Sequence, residues 1–282
     1  MVSSIPRLFA ALVDDAAVFP PGNAPLLEAV SAHRTHRVSW YADLVGPLLV
    51  PASRAAELGD VAGEFPIGLI GDTGLPGLDA ALAAGTAPRQ VELAVARRGE
   101  DPLPGLRSLL EWHAGRPFEV YAEIPLTWGC LGALDLLAES EAGRGAERGR
   151  ASPKFRTGGL AAELFPTPDD LAAVIVACAE RGLRYKLTAG LHHAIRHTEP
   201  ETGFTHHGFL NVLVASAAAA AGEPRSGVAG LLALTTPDPL VRAASGILHA
   251  DRPLWTGFGS CSIAEPLDDL VDLGLLSKEN PR

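Results

Sequence analysis

Lys154 and Lys186 stand in two short stretches, PKFRTGG at 153–159 and RYKLTAG at 184–190, where charged and apolar residues alternate and then run into glycine. Two lysines held near one another, or drawn out of water, release a proton more readily, and a neutral amine attacks a carbonyl carbon to form a Schiff base. Arg156 cannot act as a base, but its planar fork suits a carboxylate or phosphate. Thr157, Gly158 and Gly159, with a helix expected to start near Thr167, leave backbone N–H groups to meet an anion. Glu123, near the end of EVYAEIPL, adds a proton carrier. These residue types describe chemistry on a small anionic carbonyl compound, with Lys186 or Lys154 as nucleophile, Arg156 as anion clamp and Glu123 moving the proton.

A second cluster follows at once. Residues 191–208 read LHHAIRHTEPETGFTHHG and hold five of the nine histidines. Neighbouring side chains diverge, so His192 and His193 do not both reach one ion. Either could join Glu123 and His206 or His207 around zinc, manganese or iron, although the spacing matches no H-E-x-x-H or H-x-H pattern. Alternatively His192 or His193 is a general acid or base. His197 and His206 read as solvated loop residues, Phe209 and Leu210 as core, and Asn211 as a cap or a lining residue. In the early stretch DDAAVFPPGN, Asp14 or Asp15 is a candidate ligand or base, beside a rigid Pro-Pro-Gly turn. Cys261, between two serines with no histidine adjacent in sequence, reads as a small buried residue rather than a nucleophile.

Positioning these groups requires a frame, and short apolar runs alternate with helical patterns along the whole chain. Strands are expected at FAALVDD, LVGPLLVP, PIGLIGD, QVELAVA, EVYAEIPL, PKFRTGG, RYKLTAG and LWTGFGSCS, with helices at PLLEAVSAHR, SRAAELGDV, LPGLDAALAAG, LPGLRSLLEWHAG, LGALDLLAES, TPDDLAAVIVACAERG, HGFLNVLVASAAAA and EPLDDLVDLGLL. Eight pairs predict one (β/α)8 barrel of the TIM type spanning residues 1–282. Thr167 with Asp170, and Ser262 with Glu265, have the spacing of helix starts, and Gly182 closes a helix. Residues 223–253 carry an extra helical pattern and room for another strand, read as an insertion before the last strand. An open doubly wound sheet is the alternative, although no G-x-G-x-x-G follows an early strand.

Alternation sorts each strand into two faces. Arg184, Lys186 and Thr188 turn inward, as do Glu92, Glu119, Tyr121, Glu123, Lys154 and Arg156. A barrel interior is normally apolar, so charges of both signs there form either a structural ion-pair network or a site. Glu123, Lys154, Arg156 and Lys186 lie toward the C-terminal ends of their strands, where barrel enzymes carry their chemistry.

The stretches KFRTGG, KLTAGL and GFGSCS resemble the strand ends of lysine-dependent class I aldolases of the deoxyribose-phosphate aldolase type. The resemblance is confined to these three stretches. It implies a carbon–carbon lyase needing no cofactor, in which Lys154 forms the Schiff base, Lys186 perturbs it, and the Gly/Ser-rich segment 259–262, with Gly259, Ser260 and Ser262, binds phosphate. Arg156 and the histidine loop have no counterpart in that pattern.

Composition limits the alternatives. The 282 residues are 47% hydrophobic and 20% charged, enough apolar surface for a folded core. A net charge of −10 without basic runs argues against nucleic acid as a partner. Three separated cysteines suggest neither disulfides nor a thiolate zinc cluster, and fit a reducing cytoplasm. The N-terminal apolar run stops at Asp14, unlike a secretory signal, and LAAVIVACA is flanked by charges, so no membrane span is expected. A small-molecule anionic substrate is the expected partner, with a homo-oligomer left open. Two rival readings stand beside the lyase: a divalent-metal lyase, isomerase or hydrolase built on the histidine loop, and a non-catalytic anion-binding barrel.

Overall fold

The computed structural model describes residues 5–145 and 148–278. Its strands are Val13–Asp15 (β1), Val45–Pro51 (β2), Ile67–Ile70 (β3), Gln90–Ala94 (β4), Glu119–Glu123 (β5), Ala151–Arg156 (β6), Tyr185–Thr188 (β7), the two-residue strands His197–Thr198 (β8) and Thr205–His206 (β9), and Trp255–Ser260 (β10). Eight of them, in the order β1-β10-β7-β6-β5-β4-β3-β2, close into an all-parallel barrel, so the open-sheet alternative is excluded. β8 and β9 form a separate antiparallel hairpin inside the histidine loop.

The helices are Leu26–Arg37 (α1), Gly74–Ala83 (α2), Pro102–His113 (α3), Cys130–Ala142 (α4), Pro168–Glu180 (α5), Phe209–Ala220 (α6), Arg225–Ala233 (α7), Pro237–Ser245 (α8) and Ala264–Asp272 (α9). None of the described helices is long and apolar enough to cross a membrane. The expected start of α5 is a full capping box: Thr167 Oγ1 accepts from the Asp170 N–H at 3.2 Å while the Asp170 carboxylate accepts from the Thr167 N–H. Gly182, at φ +63°, ends the turn after α5.

Two expectations are corrected. The segment Ala52–Gly63 is wound as 3-10 turns rather than α-helix, broken where Gly59 adopts φ +51°. The insertion holds two helices, α7 and α8, and no strand. α7 packs on α5 and α6, so the insertion thickens the helical layer instead of extending the sheet.

Apolar faces of the strands meet the helices. Trp255, Phe258 and Phe209 stack behind β10, and Phe155 and Tyr185 are fully buried beside them. Each such side chain contributes roughly 2–3 kcal/mol of burial. The N-terminal end of the barrel is sealed by Arg252, whose guanidinium donates to the carbonyls of Leu8 (2.7 Å), Ala10 (3.0 Å), Trp255 (2.8 Å) and Thr256 (2.7 Å). The C-terminal end remains the accessible one.

Inside, glycines on β2 and β3 make room for larger neighbours. A Cβ at Gly46 would collide with Oδ1 of Asp14, and one at Gly68 would press on the side chains of Leu49 and Gln90. Gly46→Ala is therefore expected to cost about 1–3 kcal/mol of overpacking, read as a lower urea midpoint at unchanged slope. A midpoint shift worth less than about 0.5 kcal/mol, the usual range for surface substitutions, would remove the steric role assigned to Gly46.

Candidate functional site

The closed barrel brings together side chains from β1, β4, β5, β6 and β7. Cross-strand register sets Lys154 beside Lys186 and Glu123 beside Lys154. Glu92 bridges the two lysines, with Oε2 at 2.7 Å from Lys154 Nζ and Oε1 at 2.6 Å from Lys186 Nζ. Lys186 also binds the Asp14 carboxylate, and Lys154 binds Glu123 at 2.9 Å. Arg156 Nε completes the chain at 3.1 Å from Glu123. Gln90 Nε2 donates to Asp14 at 2.7 Å and to Glu92 at 3.0 Å, so the acidic end is pinned from a third side.

Asp14, Glu92 and Glu123 face Lys154, Lys186 and Arg156, and opposite charges balance. Burial would raise Glu92, but the two ammoniums overcome it and hold the carboxyl at about 2. Burial likewise opposes the charged form of both lysines; their carboxylate partners overturn it and raise both above the ordinary lysine value. At Asp14 burial prevails over the pull of Lys186, and its pKa is raised. The resting lysines are thus ammonium ions, and Asp14 is the carboxyl in the chain that most readily takes a proton.

The chain surfaces at Glu123 and Arg156. These two residues line a cavity of about 650 Å³ at the C-terminal ends of β4, β5 and β6, together with Arg97, Arg98, Phe165 and Thr167. The Lys154 side chain is 5% exposed, Glu123 19% and Arg156 44%, a gradient from lumen to solvent. Arg97 and Arg98 were not singled out from the sequence; the available signal was a pair of arginines directly after the VELAVA strand.

Several expected binding residues instead hold the barrel rim together. Thr157 Oγ1 donates to the Ala189 carbonyl at 2.6 Å, locking β6 to the end of β7. A Cβ at Gly158 would touch Gly190, and one at Gly159 would strike Leu164, so both glycines serve close packing. Thr188 lies between Arg156 and Gly259 in register, on the inward face. Ser260 Oγ donates to the Ser262 carbonyl at 2.7 Å, and Ser262 Oγ accepts from the Glu265 N–H at 3.2 Å; both hydroxyls shape the β10–α9 turn. Asn211 is fully buried: its Oδ1 accepts from the Arg196 N–H, and its Nδ2 donates to Leu231 and Leu234. It is a strut between the histidine loop and α7. Asp15 faces α1, where His33 meets it at 2.9 Å.

The expected metal set of Glu123, His192, His193 and His207 is not assembled. Glu123 is bound by Lys154 and Arg156, while His192 pairs with Glu265 at 2.9 Å and His193 with Asp269 at 3.3 Å, both on α9. His207 is buried; its Nε2 lies 2.8 Å from the Pro166 carbonyl and its Nδ1 3.2 Å from Arg196. Since a carbonyl only accepts and a guanidinium only donates, Nε2 carries the proton and the ring is neutral. Among the described residues no three His, Cys, Asp or Glu side chains group to hold a metal ion. His197 and His206 stack at 5.3 Å across the hairpin, and His206 also packs on Phe165 at the cavity edge.

The chain matches no family model, no curated protein and no solved structure.

Two outcomes are expected of stability measurements. Lys186→Met leaves Asp14 with no cation beside it and should cost about 3–5 kcal/mol in urea unfolding, much of it recovered when Asp14→Asn is added. A double variant no more stable than the single one would break the proposed pairing. Burial lowers His207 to about 4 in the fold, against an ordinary value near 6.5. Because the unfolded chain takes that proton first, the contribution of His207 is whole above the ordinary value and is lost as pH falls toward 4. His207→Gln should therefore flatten the acid limb, with the wild type losing roughly 3 kcal/mol more than the variant between about pH 7 and pH 4. Parallel pH–stability curves would contradict the neutral buried ring.

Proposed function

We propose that this barrel is an enzyme acting on a small carbonyl compound that carries a carboxylate or phosphate, a carbon–carbon lyase of the aldolase kind with Lys154 as its nucleophile. The observation that carries the reading is the buried lysine–carboxylate chain opening into the cavity through Glu123 and Arg156. Arg156 recognises the substrate anion, with Arg97 and Arg98 adding positive charge at the same rim. An anion on Arg156 releases Glu123 from its second partner, and the freed carboxylate takes the Lys154 proton over their 2.9 Å contact. The neutral amine attacks the carbonyl carbon, water leaves, and the resulting iminium accepts the electron pair as the carbon–carbon bond breaks. Lys186, still an ammonium between Asp14 and Glu92, lies next to Lys154 and favours its neutral form.

Lys154 is preferred over Lys186 because its carboxylate partner Glu123 lines the cavity, whereas Lys186 is engaged by Asp14 and Glu92 deeper in the lumen. Borohydride reduction in the presence of 2-keto acids and phosphorylated sugars should leave a stable adduct on the peptide containing Lys154, absent in Lys154→Arg. An adduct on Lys186 would overturn the assignment, and no lysine adduct with any member of the panel would overturn the Schiff base.

The raised values of both lysines favour a second reading, in which Lys154 stays protonated and donates a hydrogen bond to the substrate oxygen while Glu123 removes the neighbouring carbon-bound proton. Deuterium exchange into the substrate from heavy water, without borohydride trapping, selects this reading.

A further inference from the structure

We propose that Cys261, His192 and Glu265 form a second reactive site on the rim, a cysteine nucleophile that takes small electrophiles such as hydrogen peroxide. None of the three residues lines the cavity of the lysine site, and the inference does not depend on the reaction proposed there.

The observation is tertiary. Cys261 follows β10 directly, and the loop after β7 carries His192 across to it, so that Sγ lies 4.0 Å from His192 Nδ1. The same nitrogen lies 2.9 Å from Glu265 Oε2 on α9. One Nδ1–H is thus set between a sulfur and a carboxylate, and a cation held there stabilises negative charge on the sulfur. The bond to Cys261 first, and that to Glu265 after it, raise His192 to about 9 against the effect of burial. At neutral pH the ring is an imidazolium. On the hairpin side His206 feels the charge of His192, which lowers its pKa together with burial; His193 is engaged by Asp269 instead.

Access separates Cys261 from the other two cysteines. Cys130 and Cys178 are buried in α4 and α5, and burial pushes both thiols up, Cys130 to about 11. Cys261 is only partly covered. Its roof is the loop after β1, packed so closely that a Cβ at Gly22 would come 2.7 Å from the Ala17 carbonyl and 3.0 Å from Cys261 Cβ. With peroxide, the sulfur electron pair attacks one oxygen, the O–O bond breaks, and the departing hydroxide takes the His192 proton. The products are a sulfenic acid, water and a neutral imidazole; the proton given up is that on Nε2, so Nδ1–H stays on Glu265.

Alkylation of the whole protein by iodoacetamide, read by peptide mass, tests the site. Cys261 should react about tenfold faster than glutathione at pH 7, because the cation beside the sulfur stabilises the negative charge that the attack requires. Cys130 and Cys178, both buried, should stay unmodified. Dimedone after peroxide should label Cys261 alone. In His192→Gln the rate should fall at least about fivefold; Glu265→Gln should lower it as well, by less. Circular dichroism establishes that each variant folds, and if His192→Gln does not, the wild-type rate and Glu265→Gln decide. Reaction no faster than glutathione, or an unchanged rate in a folded His192→Gln, would overturn the proposal.

Discussion

Glu92 sits where no water can replace its partners, and both of its oxygens are taken by lysines from other strands. A carboxylate in that position costs several kcal/mol unless its charge is matched, and each ammonium beside it carries the same requirement. Glu92 alone balances one of the two ammoniums, so Asp14 and Glu123 each supply a lysine with a further carboxylate, Gln90 donates to both Asp14 and Glu92, and Gly46 leaves the space Asp14 needs. These groups come from β1, β2, β4, β5, β6 and β7. They meet only because the sheet closes, so ion pairing and barrel closure are mutually dependent.

The two ends of the barrel use charge differently. Arg252 spends its guanidinium on backbone carbonyls and seals the N-terminal end. At the other end the chain of ion pairs runs outward to Arg156, whose free edge faces a cavity. Such a gradient from dry lumen to wet rim lets one set of residues be both a structural core and a site, since a proton moved at Glu123 is felt by Lys154 and, through Glu92, by Lys186 and Asp14.

The histidine loop divides its residues among separate neighbours. His192 and His193 turn to α9, His197 and His206 stack on each other, and His207 is buried between Pro166 and Arg196. Asn211 ties the loop to the inserted helix α7. The insertion therefore braces the rim, and the histidines act as packing, hydrogen-bonding and charge partners rather than as one centre.

The amino-acid sequence alone determined the eight strands, the inward faces of β4 to β7 and the presence of Glu92, Glu123, Lys154, Arg156 and Lys186 within one lumen. Those features follow from a period of two in each strand and from local start and stop signals, which require no knowledge of distant neighbours. The 3-10 winding of Ala52–Gly63, interrupted at Gly59, escaped the same reading because an apolar pattern suited to a helix does not distinguish 3-10 from α turns. Only the tertiary structure decided who meets whom. It made Asp14, 172 positions from Lys186, its ion-pair partner, set Arg97 and Arg98 on the cavity, and carried His192 to Cys261. It also took Thr157, Ser260, Ser262 and Asn211 for the frame. The residue types announce that such polar groups need partners; the partners are chosen by barrel closure and loop path, which bring together positions that no spacing along the chain relates.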